Sequence, residues 1–490
     1  MNYLKLLFVS VLFSTTLSAQ VGVNTNTIHP SAALDIQYGI NPKGLLVPRM
    51  DTSQRISMSA PAESLMVFDT TEKAFYYYNT ATTSWIKMAN EGAVKRNNYK
   101  LIKSAADLAA ESSAGGAGSY KLQTNTYYEI NGTINLTKPL DLNNAYVSGL
   151  DANEDVLSFP GGTVFKGNTG GSIRNVTLKG GKAFEISGPG VTTNSTLLVQ
   201  NTIIDGMTTS VGSISGLGLF FGGVVQFINN ANGITYSNIG NLLLDNQAWA
   251  ASNNGTFETF TGAFGLVEKG SGFSTVDGSD LAMDVSSNPT VVTGILLGTA
   301  FSGTTSNTAG YVKGYTSGSY PGYNFNNAWT VDSPGIPREG DGEATGDINL
   351  SVAVGNDGAT TQFSSGSNLK KLQGPTTSAS LFRFTRDGNN KIIYSGNKKR
   401  FFQVSASVSY QGGNNLSLIL YIAKNGEIIP SIKVYGSGTS GLLVNSGILA
   451  LPLVGTVEMK KGDYIEIWAE RISGALSGDM QTVSLNLTAR

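Results

Sequence analysis

Three short segments decide the fold of this chain: NVTLKG (175–180), NTIIDG (201–206) and NLLLDN (241–246). Each contains a short apolar burst that begins at Asn and ends at Gly or Asn, residues that tolerate a left-handed backbone at a corner. The first two segments lie 26 residues apart and the second and third lie 40 apart, which leaves room for two coils of roughly 20 residues. One coil cannot bury its apolar side alone, so the pattern predicts a β-solenoid with stacked coils.

The predicted solenoid covers residues 121–262. At roughly 20–26 residues per coil it has about six coils, and at about 4.8 Å per coil it is about 30 Å tall. The pattern resembles right-handed parallel β-helices of the pectin-lyase-like type and of phage tailspikes. The alternative is an ordinary β-sandwich in which the spacing of Asn is coincidental.

Residues 346–490 show the alternation of a half-buried antiparallel sheet. The inward series in one strand is Phe402, Val404, Ala406, Val408 and Tyr410, with polar residues between them. Asn425-Gly426 marks a tight turn, and the region is predicted to form an antiparallel sandwich. The segments FFQVSASVSY (401–410), LSLILYIAKNGEII (416–429) and VEMKKGDYIEIWAER (457–471) resemble the jelly-roll head of the tumour-necrosis-factor and C1q superfamily. This resemblance implies a trimeric head, similar to those at the tips of phage fibres and spikes.

Residues 20–90 form a separate N-terminal module. Two apolar bursts at 65–68 and 75–78, joined by a polar turn, predict a β-hairpin. The segments QVGVNTNTIHPSAALDI (20–36), KGLLVPRMDTSQR (43–55) and 65–88 resemble a module at the start of exported proteins from Bacteroidetes-type bacteria. That module is similar to trimeric attachment segments of tail-fibre-like proteins.

Two further regions connect these parts. Residues 91–120 form a linker in which 104–112 predicts one short helix, with Ser104 as N-cap and Asp107 in the first turn. Residues 263–345 form a Gly/Ser/Thr-rich β transition segment that carries Tyr311, Tyr315, Tyr320, Tyr323, Phe325 and Trp329. Such rings suit ligand binding, so Tyr311, Tyr315, Tyr320, Tyr323 and Trp329 are the candidate binding residues. The alternative is that they pack a domain junction or a subunit interface.

The N-terminus predicts export. Residues 1–19 combine Lys5, an apolar run at 6–13 and the small residues Ser18 and Ala19, which is typical of a signal peptide; a buried N-terminal strand is the alternative. No later segment has about 18 uninterrupted apolar residues, so no transmembrane segment is expected in the mature chain. We therefore expect a secreted protein, extracellular or at the cell surface.

Composition limits the chemistry. The 490 residues include 33 Lys and Arg, 34 Asp and Glu, one His and no Cys, so there is no basic field for nucleic acid. Disulfides, Cys nucleophiles and two-histidine metal sites are excluded. His29, in a polar turn, is expected to be a surface residue. No metal site and no cofactor is predicted.

Carboxylates are the remaining chemical candidates. The acids near the predicted solenoid are Asp151, Glu154, Asp155, Asp205, Asp245 and Glu258. Asp205 and Asp245 take the same place in two repeats, so they either stack on one face, as a glycan-cleaving pair requires, or cap turns. Asp277, Ser279, Asp280 and Asp284 favour turns over Ca²⁺ binding, and residues 338–343 read as a charged linker.

The prediction as a whole is a non-enzymatic, secreted, homotrimeric surface fibre or adhesin. It would bind a cell-surface glycan or protein, or another polymer, through many weak contacts. Two alternatives stay open: a phage-type structural fibre or receptor-binding spike, and a β-helix glycan depolymerase.

Overall fold

The computed structural model describes residues 20–37, 44–88, 97–350, 352, 358–363, 367–412, 416–437, 447–473 and 479–490. The predicted signal peptide lies outside this part of the chain. The chain divides at Asn97 into an N-terminal unit and a larger second unit.

The N-terminal unit contains six described strands and one short helix. β1 (Val21–Val23) pairs in parallel with β2 (Leu34–Ile36). A four-stranded sheet follows the order β3 (Arg49–Met50), β4 (Met66–Asp69), β5 (Ala74–Asn79) and β6 (Ser84–Lys87), in which β4, β5 and β6 are antiparallel. The predicted hairpin is confirmed, with Phe68 opposite Phe75.

The helix of this unit, α1 (Thr52–Ile56), was not predicted. Its signal is local: Asp51 accepts a hydrogen bond from the N–H of Gln54, and the Gln54 side chain accepts one from the N–H of Asp51. This reciprocal capping satisfies N–H groups that a helix of five residues leaves open.

The second unit begins with a β-solenoid. Its strands are β7 (Tyr99–Ile102), β8 (Tyr120–Lys121), β9 (Tyr127–Ile130), β10 (Thr133–Asn135), β11 (Leu140–Asp141), β12 (Tyr146–Ser148), β13 (Val156–Gly167), β14 (Gly171–Arg174), β15 (Thr177–Ser187), β16 (Thr196–Asp205), β17 (Ser210–Ser215), β18 (Leu219–Ile228), β19 (Ile234–Trp249), β20 (Thr256–Gly270), β21 (Phe273–Gly278), β22 (Leu281–Asp284), β23 (Thr290–Leu297), β24 (Ala300–Thr305), β25 (Val312–Lys313) and β26 (Trp329–Asp332). These twenty strands form one sheet with parallel pairing.

The solenoid is longer than the predicted interval 121–262. One face stacks β7, β9, β12, β14, β16, β18, β19, β20, β23 and β26, which makes about 9 turns. At about 4.8 Å per step the stack is about 43 Å tall. The assignment of 263–345 to a transition segment therefore needs correction up to β26. Gly, Ser and Thr residues interrupt the apolar alternation of this region. The sequence therefore does not reveal that Met283, Leu296 and Phe301 point inward and are buried.

Of the predicted linker 91–120, the described residues 97–120 belong to the solenoid, because they supply β7 and the start of β8. The predicted helix is present as a 3₁₀ turn (Ala105–Leu108) that runs into α2 (Ala109–Gly115). Asp107 accepts hydrogen bonds from the N–H groups of Lys103 and Ser104, and Leu108 packs into the first coils.

One corner of the solenoid uses a left-handed backbone in six successive coils. The residues in register are Asn175, Asn201, Val224, Asn246, Ser271 and Gly298, with φ between 48° and 74°. The prediction of left-handed Asn corners is thus confirmed for the first two segments. The third segment was aligned wrongly: Asn241 lies inside β19, and its last residue, Asn246, is the corner.

The C-terminal part of the second unit is an antiparallel sandwich, as predicted. Its strands are β27 (Thr345–Leu350), β28 (Ala359–Thr361), β29 (Leu369–Lys371), β30 (Thr376–Thr377), β31 (Leu381–Phe382), β32 (Phe384–Arg386), β33 (Ile392–Tyr394), β34 (Arg400–Gly412), β35 (Ser417–Lys424), β36 (Glu427–Ser437), β37 (Leu449–Met459), β38 (Tyr464–Ser473) and β39 (Met480–Ala489). A 3₁₀ turn (Asp341–Glu343) precedes them.

The strands of this head form two sheets around one core. The seven-stranded sheet follows the order β30-β27-β39-β34-β37 with β28 and β31 attached, and the six-stranded sheet follows β32-β33-β38-β35-β36 with β29 attached. The predicted inward series from Phe402 to Tyr410 is buried in that core. Asn425 and Gly426 make the β35–β36 turn, both with positive φ, as that kind of hairpin requires.

Candidate binding surfaces

The candidate aromatic residues follow the last solenoid coils, and two of them are part of the core. Tyr315 and Trp329 are buried. The indole N–H of Trp329 donates to the Tyr315 hydroxyl at 3.0 Å, and that hydroxyl donates to the Pro289 carbonyl at 2.9 Å. Burial raises the pKa of Tyr315 to about 12. For these two residues the geometry favours the packing interpretation over ligand contact.

Tyr320 and Tyr323 lie where the solenoid meets the head. The Tyr323 ring stacks on Phe382 with centroids 3.7 Å apart, and Tyr320 meets the same ring edge-on at 5.4 Å. The Tyr320 hydroxyl donates to the side-chain oxygen of Asn327 at 2.7 Å and lies 2.8 Å from that of Ser395. The alternative of rings packing a junction therefore fits both. Tyr311, partly buried against the solenoid core, donates to the Gly303 carbonyl at 2.8 Å.

A groove of about 380 Å³ opens beside these rings. Its lining comes from both sides of the junction: Pro321, Gly322, Tyr323 and Pro337 from the segments before and after β26, and Thr345, Ala379, Ser380, Leu381 and Phe382 from the head. Tyr323 is the one candidate aromatic that lines it, so this residue remains the best placed of the five for contact with a ligand.

The end of the solenoid is held by a carboxylate from the region 338–343, which the sequence predicts to be a charged linker. Glu339 is buried, and its backbone forms a bridge with Val331. Its carboxylate accepts hydrogen bonds from the N–H groups of Asn324 at 2.6 Å and Phe325 at 2.9 Å. Burial raises the pKa of Glu339 to about 7, although these bonds and Arg383 act in the opposite direction. The linker assignment was wrong, because the sequence does not show which segments of the folded chain cover Glu339.

Asp341 continues the same network into the head. Its carboxylate accepts from the N–H groups of Asn397 at 2.8 Å and Lys398 at 2.7 Å, and its carbonyl accepts from the Arg400 side chain. The buried Arg383 donates to the Trp329 carbonyl at 2.7 Å. These contacts fix the head to the end of the solenoid.

A second groove, of about 590 Å³, lies on the solenoid face. It is lined by Asp141, Lys166, Gly167, Asn168, Glu185, Ile186, Ser187, Ser213 and Ser215. Lys166 and Lys182 pair with Glu185 at 3.0 and 2.6 Å. The bond from Lys182 is the main cause that lowers the pKa of Glu185 to about 2, whereas burial raises the pKa of Asp141. Side chains of both charges and serine hydroxyls thus line one open groove, which suits a polar ligand.

The acids selected from the sequence do not form a pair. Asp205 aligns with Ile228, while Asp245 aligns with Gly223 and Gln200, so their predicted stacking on one face is wrong. Asp205 pairs with Lys179 at 2.8 Å, and Asp155 accepts hydrogen bonds from three turn N–H groups. The error arises because the sequence pattern aligns Asn241 with Asn201, whereas in the structure Asn246 aligns with Asn201. Asp151 accepts from the N–H of Asn153 in a turn.

Glu258 lies in the solenoid interior. It pairs with the buried Lys269 at 3.0 Å, and the Lys269 ammonium lies 5.1 Å from the Phe257 ring centroid. Burial raises the pKa of Glu258 against the attraction of Lys269. A pair enclosed in this way has no access to a polymer substrate.

The other polar candidates are turn or surface residues. Asp280 accepts from the N–H of Gly255 and Asp284 from that of Ser286. His29 is exposed, as predicted, with its Nδ1 2.8 Å from the Ser31 hydroxyl. Within the described ranges, no group of three or more His, Asp or Glu side chains is arranged to hold a metal ion. The described helices are all too short or too polar to cross a membrane.

Comparison with known proteins gives one sequence match and several structural ones. The family described as phage tail like trimerisation region matches residues 22–104. No curated protein matches the chain. Among solved structures, murine APRIL matches with 10% identity and a TM-score of 0.20 over 30% of this chain and 99% of that one. Eiger TNF from S. frugiperda matches with 10% identity and a TM-score of 0.21 over 30% and 91%.

The structural matches cover a minor part of the chain at low similarity. The family match does bear on the N-terminal unit, because it covers nearly all of its described residues. A region of phage-tail trimerisation type, a β-solenoid and an antiparallel head within one chain support a phage-type fibre architecture.

Proposed function

We propose that this chain is the subunit of a secreted homotrimeric surface fibre, made by a Bacteroidetes-type cell, that binds a cell-surface glycan or protein without converting it. The observation that carries the proposal is the trimerisation-region match at 22–104 in a chain that continues as a solenoid and an antiparallel head. Three copies joined at one end present three heads together. Linked weak contacts then give avidity without a strong single site.

The binding surface in this proposal is the junction groove, with the solenoid groove as a second contact. Tyr323 offers a flat ring with a polar hydroxyl beside a concave surface, a combination that suits sugar rings and peptide backbones. The solenoid groove offers Lys166, Glu185 and serine hydroxyls to polar groups. Each site is repeated three times in a trimer.

The test is binding by the full mature chain. Its mass is measured first, by sedimentation, and it is then applied to a glycan array and to whole cells. Tyr323→Ala is expected to weaken binding by at least about tenfold, a factor worth about 1.4 kcal/mol, while Tyr146→Ala on the solenoid surface leaves it unchanged. A monomeric mass contradicts the trimer, and equal binding by both variants contradicts the junction site.

A phage-type structural fibre is the second candidate, favoured by the description of the matching family. It shares the architecture but belongs to a particle. Genes for capsid or tail proteins beside the coding sequence would favour it, whereas detection of the chain on intact cells free of particles would favour the secreted fibre.

A glycan depolymerase is the third possibility to be tested. Asp141 and Glu185 line one groove and their pKa values are shifted in opposite directions, as acid and base roles require. Release of reducing ends from a polysaccharide, abolished in Glu185→Gln, would overturn the non-enzymatic proposal.

A further inference from the structure

The described part of the N-terminal unit buries almost none of its apolar side chains within a single chain. In residues 20–37 and 44–88, only two apolar residues are buried, Val67 and Tyr76. Ten large apolar side chains of the same ranges are exposed: Val21, Val23, Leu34, Ile36, Leu45, Leu46, Ile56, Met66, Phe75 and Met88. A unit of this size needs a core, a metal, disulfides or partner chains to be stable. Disulfides are excluded by the absence of Cys.

Three of these exposed side chains, Leu45, Leu46 and Phe75, line one apolar pocket of about 240 Å³. It is lined by Leu45, Leu46, Val47, Arg49, Phe68 and Phe75. Two of the lining residues, Phe68 and Phe75, form an edge-to-face pair with centroids 5.1 Å apart. Leu45 and Leu46 form its rim and are 64% and 80% exposed. The same chain therefore carries both an apolar pocket and, at its edge, the two highly exposed leucines of the rim.

The polar interior of the unit needs no partner. Asp69 is buried and accepts hydrogen bonds from Arg55, Thr52 and the N–H groups of Thr71 and Glu72. Burial opposes ionisation, but these bonds outweigh it and lower the pKa of Asp69 to about 2. The Arg55 guanidinium lies 3.7 Å from the Tyr76 ring centroid. What the single chain leaves unsatisfied is apolar surface, so the missing partner is apolar too.

We infer that the pocket is an interchain site, filled by the 45–47 segment of a neighbouring copy, and that the N-terminal unit folds only when the copies assemble. The inference rests on the proposed homotrimer. It is supported by the family match at 22–104, which contains every residue of the pocket. A rim on one copy that enters the pocket of the next is a head-to-tail contact, and with a rotation of about 120° between copies such contacts close into a ring of three. Three copies then build the core that one copy lacks.

The first test changes the rim in the full mature chain. Leu46 is 80% exposed within one copy. Leu46→Asp should therefore change the stability of a single chain only slightly. The matched control is Leu150→Asp, 77% exposed on the solenoid. Hydrogen exchange of the amides in β4–β6 is expected to accelerate by at least about tenfold in Leu46→Asp and to stay unchanged in the control.

The second test uses the natural absence of Cys. Chains with Leu46→Cys and chains with Phe75→Cys, carrying different tags, are coexpressed and oxidised. The inference expects a disulfide between the two differently tagged chains, and none when Leu150→Cys replaces Leu46→Cys. Any chain with a single introduced Cys cannot close a bond within itself, so this readout is independent of whether Leu46→Asp folds.

The outcomes separate this inference from the proposed function. The inference is overturned if the β4–β6 amides of Leu46→Asp exchange at the wild-type rate, or if the mixed disulfide does not form. This holds even if the protein sediments as a trimer. In that case the trimer is held elsewhere and the proposed function stands. A wild-type chain that sediments as a monomer removes both.

Discussion

The two units of this protein solve the problem of apolar burial in different ways. The solenoid and the head each enclose a continuous core of their own chain, which includes Trp249, Phe257 and Phe260 in one and Phe402 and Ile465 in the other. The described part of the N-terminal unit encloses Val67 and Tyr76 and exposes ten large apolar side chains. The difference teaches that stacking coils removes the need for a partner, whereas a four-stranded sheet of short strands does not.

The sharpest test of that comparison is dilution. If the N-terminal unit depends on neighbouring copies, its stability follows protein concentration, while that of the solenoid does not. Hydrogen exchange of the mature chain, followed from high to low micromolar concentration, should show loss of protection in β4–β6 and constant protection in β16, β18 and β19. Protection in β4–β6 that does not change with dilution would argue for a self-sufficient unit.

The next largest effect is expected in the solenoid interior. Glu258→Met leaves Lys269 charged and buried without a partner, which costs about 3–5 kcal/mol of unfolding free energy. The double variant with Lys269→Met should recover most of this loss, because two apolar side chains replace the pair. Denaturant unfolding measures both.

Lys166→Met serves as the control for that experiment, because Lys166 pairs with Glu185 on the open surface. A change within about 0.5 kcal/mol is expected there. A Glu258→Met variant as stable as wild type would mean that the coils open enough to hydrate Lys269.

The end of the solenoid should respond to pH through Glu339. Its pKa is raised from 4.5 to about 7, so between these values the folded state binds more protons than the unfolded state. The contribution to stability is therefore complete below pH 4.5 and is lost as the pH rises through 7, by up to about 3 kcal/mol.

Unfolding of the wild type and of Glu339→Gln at pH 5 and pH 8 measures this contribution. Glu339→Gln cannot titrate, so its stability should change less between the two pH values. It should also be less stable than wild type at pH 5, because an amide N–H₂ faces one of the two backbone N–H donors. Equal pH dependence in both proteins would exclude Glu339 as the titrating group.

The smallest expected effect lies at the solenoid corner. Val224 is a β-branched residue with φ of 55° in a column whose neighbours Asn201 and Asn246 accept that backbone readily. Because Val224 is 51% exposed, Val224→Asn should stabilise the protein by about 1 kcal/mol. The reverse change, Asn201→Val, should destabilise it by a similar amount. Thermal unfolding of both variants checks the sign, and two changes of the same sign would contradict the corner argument.

Much of the fold was predictable because it depends on local periodicity. The alternation from Phe402 to Tyr410 determines which face of β34 is buried, and Asn425-Gly426 determines where the hairpin turns. The register of the coils was less accessible, because Val224 and Ser271 occupy corners where the pattern suggests Asn or Gly. The sequence pattern therefore pairs Asn241 with Asn201, although Asn246 occupies the corner, and this misaligns Asp245 with Asp205.

The candidate site was predicted less well than the fold. Tyr315 and Trp329 are predicted to bind a ligand because they are aromatic residues in a Gly-rich segment, but both lie in the solenoid core. Tyr323 alone lines the junction groove, and its partner Phe382 lies 59 residues further along the chain. No spacing rule connects two residues that are brought together by the docking of a head on a solenoid.

The sequence by itself determined the β class, the solenoid corners at Asn175 and Asn201, the sandwich that follows and the separate N-terminal module, because alternation and turn chemistry act over a few residues. Only the tertiary structure decided how far the solenoid extends, which carboxylates are buried, and that Asp341 and Arg383 join the head to its last coil. Those outcomes depend on desolvation and on contacts between distant segments, and both exist only after the chain has folded.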